Sequence, residues 1–345
     1  MTTETQSLAA PPPRVSLGAL LRRPEVGSAL GLLAVFLFFT FFGGARFVGP
    51  NGAASWLNVA ASLGIIALPI GLLMIAGELD ISVGSMIPAG SMTCAIIAGH
   101  FDGPILLGIV AALALGALVG LVNGLLVVRT AVPSFIVTLG TLFAVAGLTL
   151  GLAVLITGTT SVALDAGPWA KWLLGQFIGG IFQVTILWWI AAAILFGLLL
   201  HVSPWGNWIF AMGGDKVSAR NAGIPTERLT VLLFMASGTC AAFVGVSQAI
   251  LYNSAQVSAG QSYIFNAIIA VVVGGVLLTG GYGSVVGIVL GTLTFAVVNQ
   301  GIYYTGFDAN WASLIIGVLL LIAVLMNNTF RRMALNYASK KKEAS

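Results

Sequence analysis

The sequence predicts an all-α, polytopic membrane protein with about ten transmembrane helices. Three observations predict it. Of 345 residues, 59% are hydrophobic and 7% charged, whereas a soluble domain carries about 25% charged residues. The apolar residues fall in runs close to the roughly 20 residues that a helix needs to cross a bilayer. The 44 glycines follow no Gly-x-y period and suit helices whose backbones approach closely in lipid. Two cysteines, Cys94 and Cys240, are too few for a disulfide scaffold.

Residues 1–25, with Pro11-Pro12-Pro13, read as a disordered cytoplasmic tail. Val26–Phe42 is the first apolar run. A signal peptide is the alternative there, but the run exceeds an h-region and no clear small-residue cleavage site follows. Leu57–Ala76, Val83–Gly99, Pro104–Val128 and Phe135–Thr157 come next, then a polar interval with Asp165 and Lys171, then Thr185–His201. A basic stretch over 204–228 separates these from Leu229–Leu251, Tyr263–Thr279, Ser284–Tyr304 and Trp311–Asn327. The transmembrane region is thus 26–329, and 330–345 form a basic tail. Val83–Gly99 and Tyr263–Thr279 are short, glycine-bearing and flanked by Gly/Ser turns. Either is open to being broken or re-entrant, which leaves the count at about nine to eleven.

The few charges orient the chain. Arg14, Arg22 and Arg23 precede the first run; Arg331, Arg332 and Lys340 to Lys342 follow the last; Lys216, Arg220 and Arg228 sit in the central stretch. Cytoplasmic loops collect Lys and Arg, so both termini and the central loop are expected in the cytoplasm, with Arg46 and Lys171 as mild violations. The net charge of +4 therefore sets topology rather than nucleic-acid binding, for which no basic patch with interleaved aromatics exists.

Gly116, Gly120 and Gly124 recur every four residues, and so do Gly283, Gly287 and Gly291; each set lies near a Val-Asn pair, Val122-Asn123 and Val298-Asn299. This is either ordinary Gly-x-x-x-Gly helix packing or an internal duplication with the halves in opposite orientation, as in many transporters.

Catalytic constellations are missing. His100 and His201 lie at predicted span ends, the cysteines have no metal-spaced neighbour, and no Gly-x-Ser-x-Gly elbow occurs. No lysine follows a glycine, so the chain carries no Walker A nucleotide site. Glu78, Asp80, Asp102, Asp165, Asp215, Glu227 and Asp308 all fall in loops or at span ends, whereas ion-coupled carriers place acids mid-membrane. Energy for active transport would come from another chain.

Three patterns stand out. In Gly77-Glu78-Leu79-Asp80-Ile81-Ser82-Val83-Gly84-Ser85, two acids sit between apolar runs; Asp80 is a candidate N-cap for the next helix, as are Ser82 and Ser85, and a turn lining a gate is the functional alternative. In the 211–225 segment, Gly213-Gly214 breaks the chain, Asp215 can cap, Lys216 to Asn221 can form a short helix, and Gly223 and Pro225 stop it. Such a helix suits docking on a partner; an amphipathic connector is the plain alternative. Gly274-Gly275 and Gly280-Gly281-Tyr282-Gly283-Ser284 bracket Val276 to Thr279, a density that permits sharp turns or close approach.

In this order the patterns resemble the permease subunits of bacterial carbohydrate ABC importers of the ribose/xylose/galactoside group. GELDISVGS, VPSFIVTLGT (Val132 to Thr141), GGDKVSARNAGI (Gly213 to Ile224) and VVVGGVLLTGGYGSVVGIVLG (Val271 to Gly291) resemble four elements of that family in register, over about residues 55 to 328. The resemblance implies a type II-like permease with two inverted halves, working as a homodimer or paired permease with cytoplasmic ATPases and a periplasmic sugar-binding protein, in the bacterial inner membrane. ATP and Mg would be bound by the ATPase and no cofactor by this chain. Gly213, Gly214, Asp215, Lys216, Ala219, Arg220 and Gly223 become the coupling loop, and Glu78, Asp80, Ser82 and Gly84 a gate or turn. Two departures stand out: Asn266 where the family often has an acid, and Glu78 where glycine is common.

The expected function is translocation of a monosaccharide or similar small polyol, without catalysis and without a metal. Weakly polar residues such as Asn123, Thr138, Thr141, Gln248, Asn266 and Asn299 are the expected path between two copies. An ion-coupled secondary carrier is the alternative.

Overall fold

The computed structural model describes residues 24–308 and, beyond them, 314, 317, 318, 321, 322 and 325. Residues 1–23 of the expected tail 1–25, the expected tail 330–345 and most of the expected span Trp311–Asn327 lie outside the described residues; Pro24 and Glu25 already open the first helix.

Among the described residues, six helices are long and apolar enough to cross a membrane: α1 (Pro24–Val48), α2 (Pro50–Ile75), α4 (Ile105–Arg129), α5 (Ser134–Thr157), α10 (Thr226–Tyr252) and α12 (Val285–Gly301, with its 3-10 extension to Tyr304). A seventh arises if α7 (Thr185–His201) and α8 (Pro204–Gly214), bent by 72°, are one broken span. The bend follows from sequence. Ser203 caps α8 by accepting a hydrogen bond from Trp205 N–H, and Pro204 occupies the first turn, where its missing N–H costs nothing.

The other two expected spans are short helices. α3 (Val83–Ala95) has 13 residues and passes into a π-helical turn, Ile96–His100; α11 (Tyr263–Val273) has 11 and stops at Gly274-Gly275. At 1.5 Å per residue they reach about 20 and 17 Å, against a hydrocarbon core of about 30 Å. Each needs cover from neighbours, and the packing supplies it. α3 packs on α4, α5 and α10; α11 packs on α12 and α2. Each short helix is thus covered by long ones, α3 by the long helix that follows it and by α10, α11 by the long helix that follows it and by α2, and α2 and α10 also touch each other.

Burial ranks the helices. The apolar window of α2 is 89% buried and that of α5 only 17%, so α2 is the axis of the bundle and α5 faces outward. Both glycine series are packing surfaces. A Cβ on Gly116 would lie 2.5 Å from Gly238 O, and one on Gly120 2.3 Å from Phe234 O, both on α10. A Cβ on Gly287 would lie 2.2 Å from Gly274 O and one on Gly291 2.0 Å from Ala270 O, against α11. No side chain fits between such backbones.

Small β-elements cover one end: β1 (Ser161–Ala163) pairs antiparallel with β4 (Ser254–Gln256), and β2 (Phe177–Ile178) with β3 (Phe182–Gln183). A short helix, α6 (Pro168–Leu174), separates β1 from β2, and the Lys171–Asp165 ion pair beside it spans 2.7 Å.

Candidate functional site

The three patterns singled out along the chain meet at one place. α2 ends in a Schellman stop: Gly77 has φ +85°, and Gly77 N–H and Glu78 N–H donate to Met74 O and Leu73 O. Glycine suits that left-handed position because it carries no Cβ. The free carbonyl of Ile75 accepts from Gly281 N–H at 2.8 Å. Gly213 fits over this bond so closely that a Cβ there would lie 1.8 Å from Ile75 O and 2.4 Å from Gly281 N. Gly280, with φ +82°, would place a Cβ 2.9 Å from Gly213 O and 3.1 Å from Gly77 Cα. Three backbones thus touch directly, and side chains are excluded from the junction.

Out of this junction rises α9 (Lys216–Asn221). Asp215 caps it by accepting from Ser218 N–H, and that bond holds the Asp215 carboxyl below the usual carboxylate range. A second Schellman stop ends it: Gly223 N–H donates to Arg220 O and Ile224 N–H to Ala219 O, with Gly223 at φ +85°. The expected cap, short helix and stop are therefore where the sequence placed them. α9 buries Ala219, 4% exposed, and leaves Val217, Ser218, Arg220 and Asn221 exposed. Arg220 pairs with Glu227 at 2.8 Å across the solvent face. Lys216 turns inward and pairs with Glu78.

Beneath the junction, residues 78–82 form a buried polar hub. Leu79 N–H donates to Ser134 Oγ at 3.1 Å, and Ile81 N–H to Thr138 Oγ1 at 3.3 Å. Asp80 Oδ1 accepts from Ser82 N–H at 2.9 Å and from Ser82 Oγ at 2.6 Å. Asn123 Nδ2 donates to Ser82 Oγ at 3.0 Å, and Thr141 Oγ1 donates to Asn123 Oδ1 at 2.6 Å. Asp80 thus closes a local turn onto Ser82 instead of capping α3, whose cap position, Ser82, makes no side-chain capping bond. It lies in the turn, outside the crossing helices, and is only 1% exposed. Burial pushes its carboxyl up, against the pull of the two hydrogen bonds from Ser82. Asp80 Oδ2 and the Ser237 hydroxyl complete no hydrogen bond among the described residues.

The remaining candidates fall elsewhere. Gly84 packs against α11, where its Cβ would lie 2.1 Å from Ile264. Of the six expected path residues, Asn123, Thr138 and Thr141 belong to the hub. Gln248 Nε2 donates to Tyr263 Oη at 2.9 Å, Asn299 accepts from Gln300, and Asn266 is half-buried on α11. Sequence reasoning missed Ser134 and Ser237, which look like ordinary helix hydroxyls. It also missed the Glu78–Lys216 pairing, although opposite charges in two loops of a charge-poor chain are a usable signal. Among the described residues no group of three or more His, Cys, Asp or Glu side chains could hold a metal.

The sequence profile of the family described as "branched-chain amino acid transport system / permease component" matches residues 52–324. The chain belongs to this family. It is similar to the probable ABC transporter permease protein YphD of Escherichia coli K12, 33% identical over 306 residues, covering 88% of this chain and 89% of that one. The ribose import permease protein RbsC of Bacillus subtilis is 29% identical over 327 residues, covering 94% and 98%. The galactose/methyl galactoside import permease protein MglC of Haemophilus influenzae is 31% identical over 290 residues, covering 80% and 84%. No solved structure matches. The chain is accordingly a multi-pass ABC permease, a translocation subunit and not an enzyme.

Proposed function

We propose that this chain is the membrane-spanning subunit of an ATP-driven importer, translocating a monosaccharide or similar small polyol across the bacterial inner membrane. α9 is the helix on which a separate ATPase docks; that ATPase binds ATP and Mg. A periplasmic sugar-binding protein delivers the solute, and the path lies between two copies or two paired permeases. Both termini are cytoplasmic, in line with the basic residues at each end. Relatives named as ribose and galactose import permeases support the substrate class. Two short helices, each packed on the long helix that follows it and on a long helix of the other half of the chain, support two inverted halves.

The observation that carries the coupling role is the build of α9: capped at one end, stopped at the other, exposed above, and joined through Asp215 to the end of α8, whose Gly213 makes the backbone contacts with the α2 and α11–α12 turns. A push on such a helix moves the bundle instead of being absorbed by a flexible loop. Ala219→Trp fills the space beneath α9, and Gly223→Val forces a branched residue into φ +85°. In proteoliposomes holding the ATPase, both variants are expected to keep hydrolysing ATP while uptake falls about tenfold, within the range of typical coupling energies. Uptake at the wild-type rate overturns the assignment.

One observation favours an ion-coupled carrier instead: Asp80 is an acid enclosed by the bundle with one oxygen unpartnered, and buried acids often relay protons. Asp80→Asn keeps the oxygen that Ser82 requires and removes the proton. Under ATP-driven import, uptake in this variant should stay within about twofold of wild type and survive collapse of the ion gradient, since no coupling acid is lost. Uptake that fails on both counts would establish the carrier.

A further inference from the structure

We infer that the turn 77–82 is the transmission element between the docking helix and the bundle, and that the Glu78–Lys216 ion pair is the latch that joins α9 to it. The inference rests on α9 being the ATPase-docking helix.

Three ion pairs occur among the described residues. Two are local and exposed: Lys171–Asp165, six residues apart, and Arg220–Glu227, with side chains 69% and 51% exposed. Exposed pairs of that kind contribute little. Glu78 and Lys216 are 138 residues apart, and the Glu78 side chain is only 10% exposed. A carboxylate so enclosed needs its partner, because removing one member leaves an uncompensated buried charge. The pair is therefore a specific side-chain tie between two loops that otherwise meet only through backbone.

The glycine junction explains why such a tie matters. Gly77, Gly280 and Gly281 all have positive φ, and glycine turns of this sort are natural pivots. Backbone contact alone would let α8 and α9 pivot over the turn without moving it. The ion pair removes that freedom, so displacement of α9 carries Glu78 with it. From Glu78 the displacement has fixed routes. Leu79 and Ile81 are bonded to Ser134 and Thr138 at the start of α5. Ser82 is bonded to Asn123 on α4, and Asn123 to Thr141 on α5. Motion of one exposed short helix thus reaches two crossing helices through five hydrogen bonds (two from the turn's backbone to α5, then the Asp80–Ser82, Ser82–Asn123 and Asn123–Thr141 links).

The two residues are positioning residues, and a charge swap tests them. The chain, with its ATPase and binding protein in proteoliposomes, is assayed with a panel of tritiated pentoses and hexoses, reading sugar accumulated per ATP hydrolysed. Glu78→Lys and Lys216→Glu should each lower that ratio at least about fivefold, the lower end of allosteric coupling. The double swap should recover at least half of the loss, and co-purification with the ATPase should stay at the wild-type level throughout. A merely structural pair would lower expression or assembly and leave the ratio of the surviving complex alone. Should either reversed variant fail to fold, Glu78→Gln and Lys216→Gln must lower the ratio in the same direction. An unchanged ratio, a swap no better than the singles, or lost co-purification overturns the latch. Absence of ATP-driven uptake in the wild type overturns the importer reading, and the latch with it.

Discussion

Gly213→Ala is expected to impair uptake strongly, whereas Gly214→Ala is expected to leave it intact. The two glycines are adjacent and look equivalent in sequence, yet they stand in opposite surroundings. A Cβ on Gly213 would overlap Ile75 O at 1.8 Å and Gly281 N at 2.4 Å, the two ends of the bond that ties the α2 stop to the 280–281 turn. Both obstacles are backbone, so no rotamer change relieves the clash, and the junction has to open. Overpacking typically costs about 1–3 kcal/mol; with backbone on both sides the upper end applies. Nothing lies within 4 Å of a Cβ on Gly214. Uptake in Gly213→Ala vesicles should fall more than about tenfold, which 1.4 kcal/mol already suffices to produce. The comparison is uptake normalised to protein in the membrane, and equal rates for the two variants would show that the junction does not matter.

A second large effect is expected deep in the bundle. Gly120→Val should leave little folded protein, because a Cβ at Gly120 would lie 2.3 Å from Phe234 O and 2.6 Å from Met235 Cα. The crossing of α4 with α10 is among the most extensive helix contacts of the fold, and α10 in turn holds α3. Prising it apart forfeits dispersion contacts along both helices, a loss of roughly 3 kcal/mol or more by analogy with core overpacking. Gly140, Gly147 and Gly151 on α5 have nothing within 4 Å of an added Cβ, so alanine there should be silent. Size-exclusion profiles and thermal melting in detergent separate the two sets. A monodisperse Gly120→Val protein with the wild-type midpoint would refute the packing role.

Much of this was legible in the sequence. Scarce charge and long apolar runs located six long helices to within a few residues at most ends, because hydrocarbon tolerates no unsatisfied backbone. The Asp215 cap and Gly223 stop of α9 were readable because their chemistry is local. Val83–Gly99 and Tyr263–Thr279 were not readable as spans or otherwise. Their hydropathy is that of a span, and only the neighbours that clasp them explain how helices of 13 and 11 residues are accommodated. Asp80 likewise reads as a loop acid or a cap. Its enclosure by α4, α5 and α10 depends on residues far away in the chain.

By itself the sequence determined that this protein is built of membrane-spanning helices, that its few charges gather between the apolar runs and at the ends of the chain, and that it holds no Walker A motif. These follow from composition and from short-range order, which a chain expresses wherever it folds. Only the tertiary structure decided that GELD, GGDK and GGYG form one junction, that Glu78 answers Lys216, and that Asn123 and Thr141 serve a buried hub. Contacts between residues more than a hundred positions apart are set by which helices share a crossing, and that is a property of the whole bundle, written in no single segment.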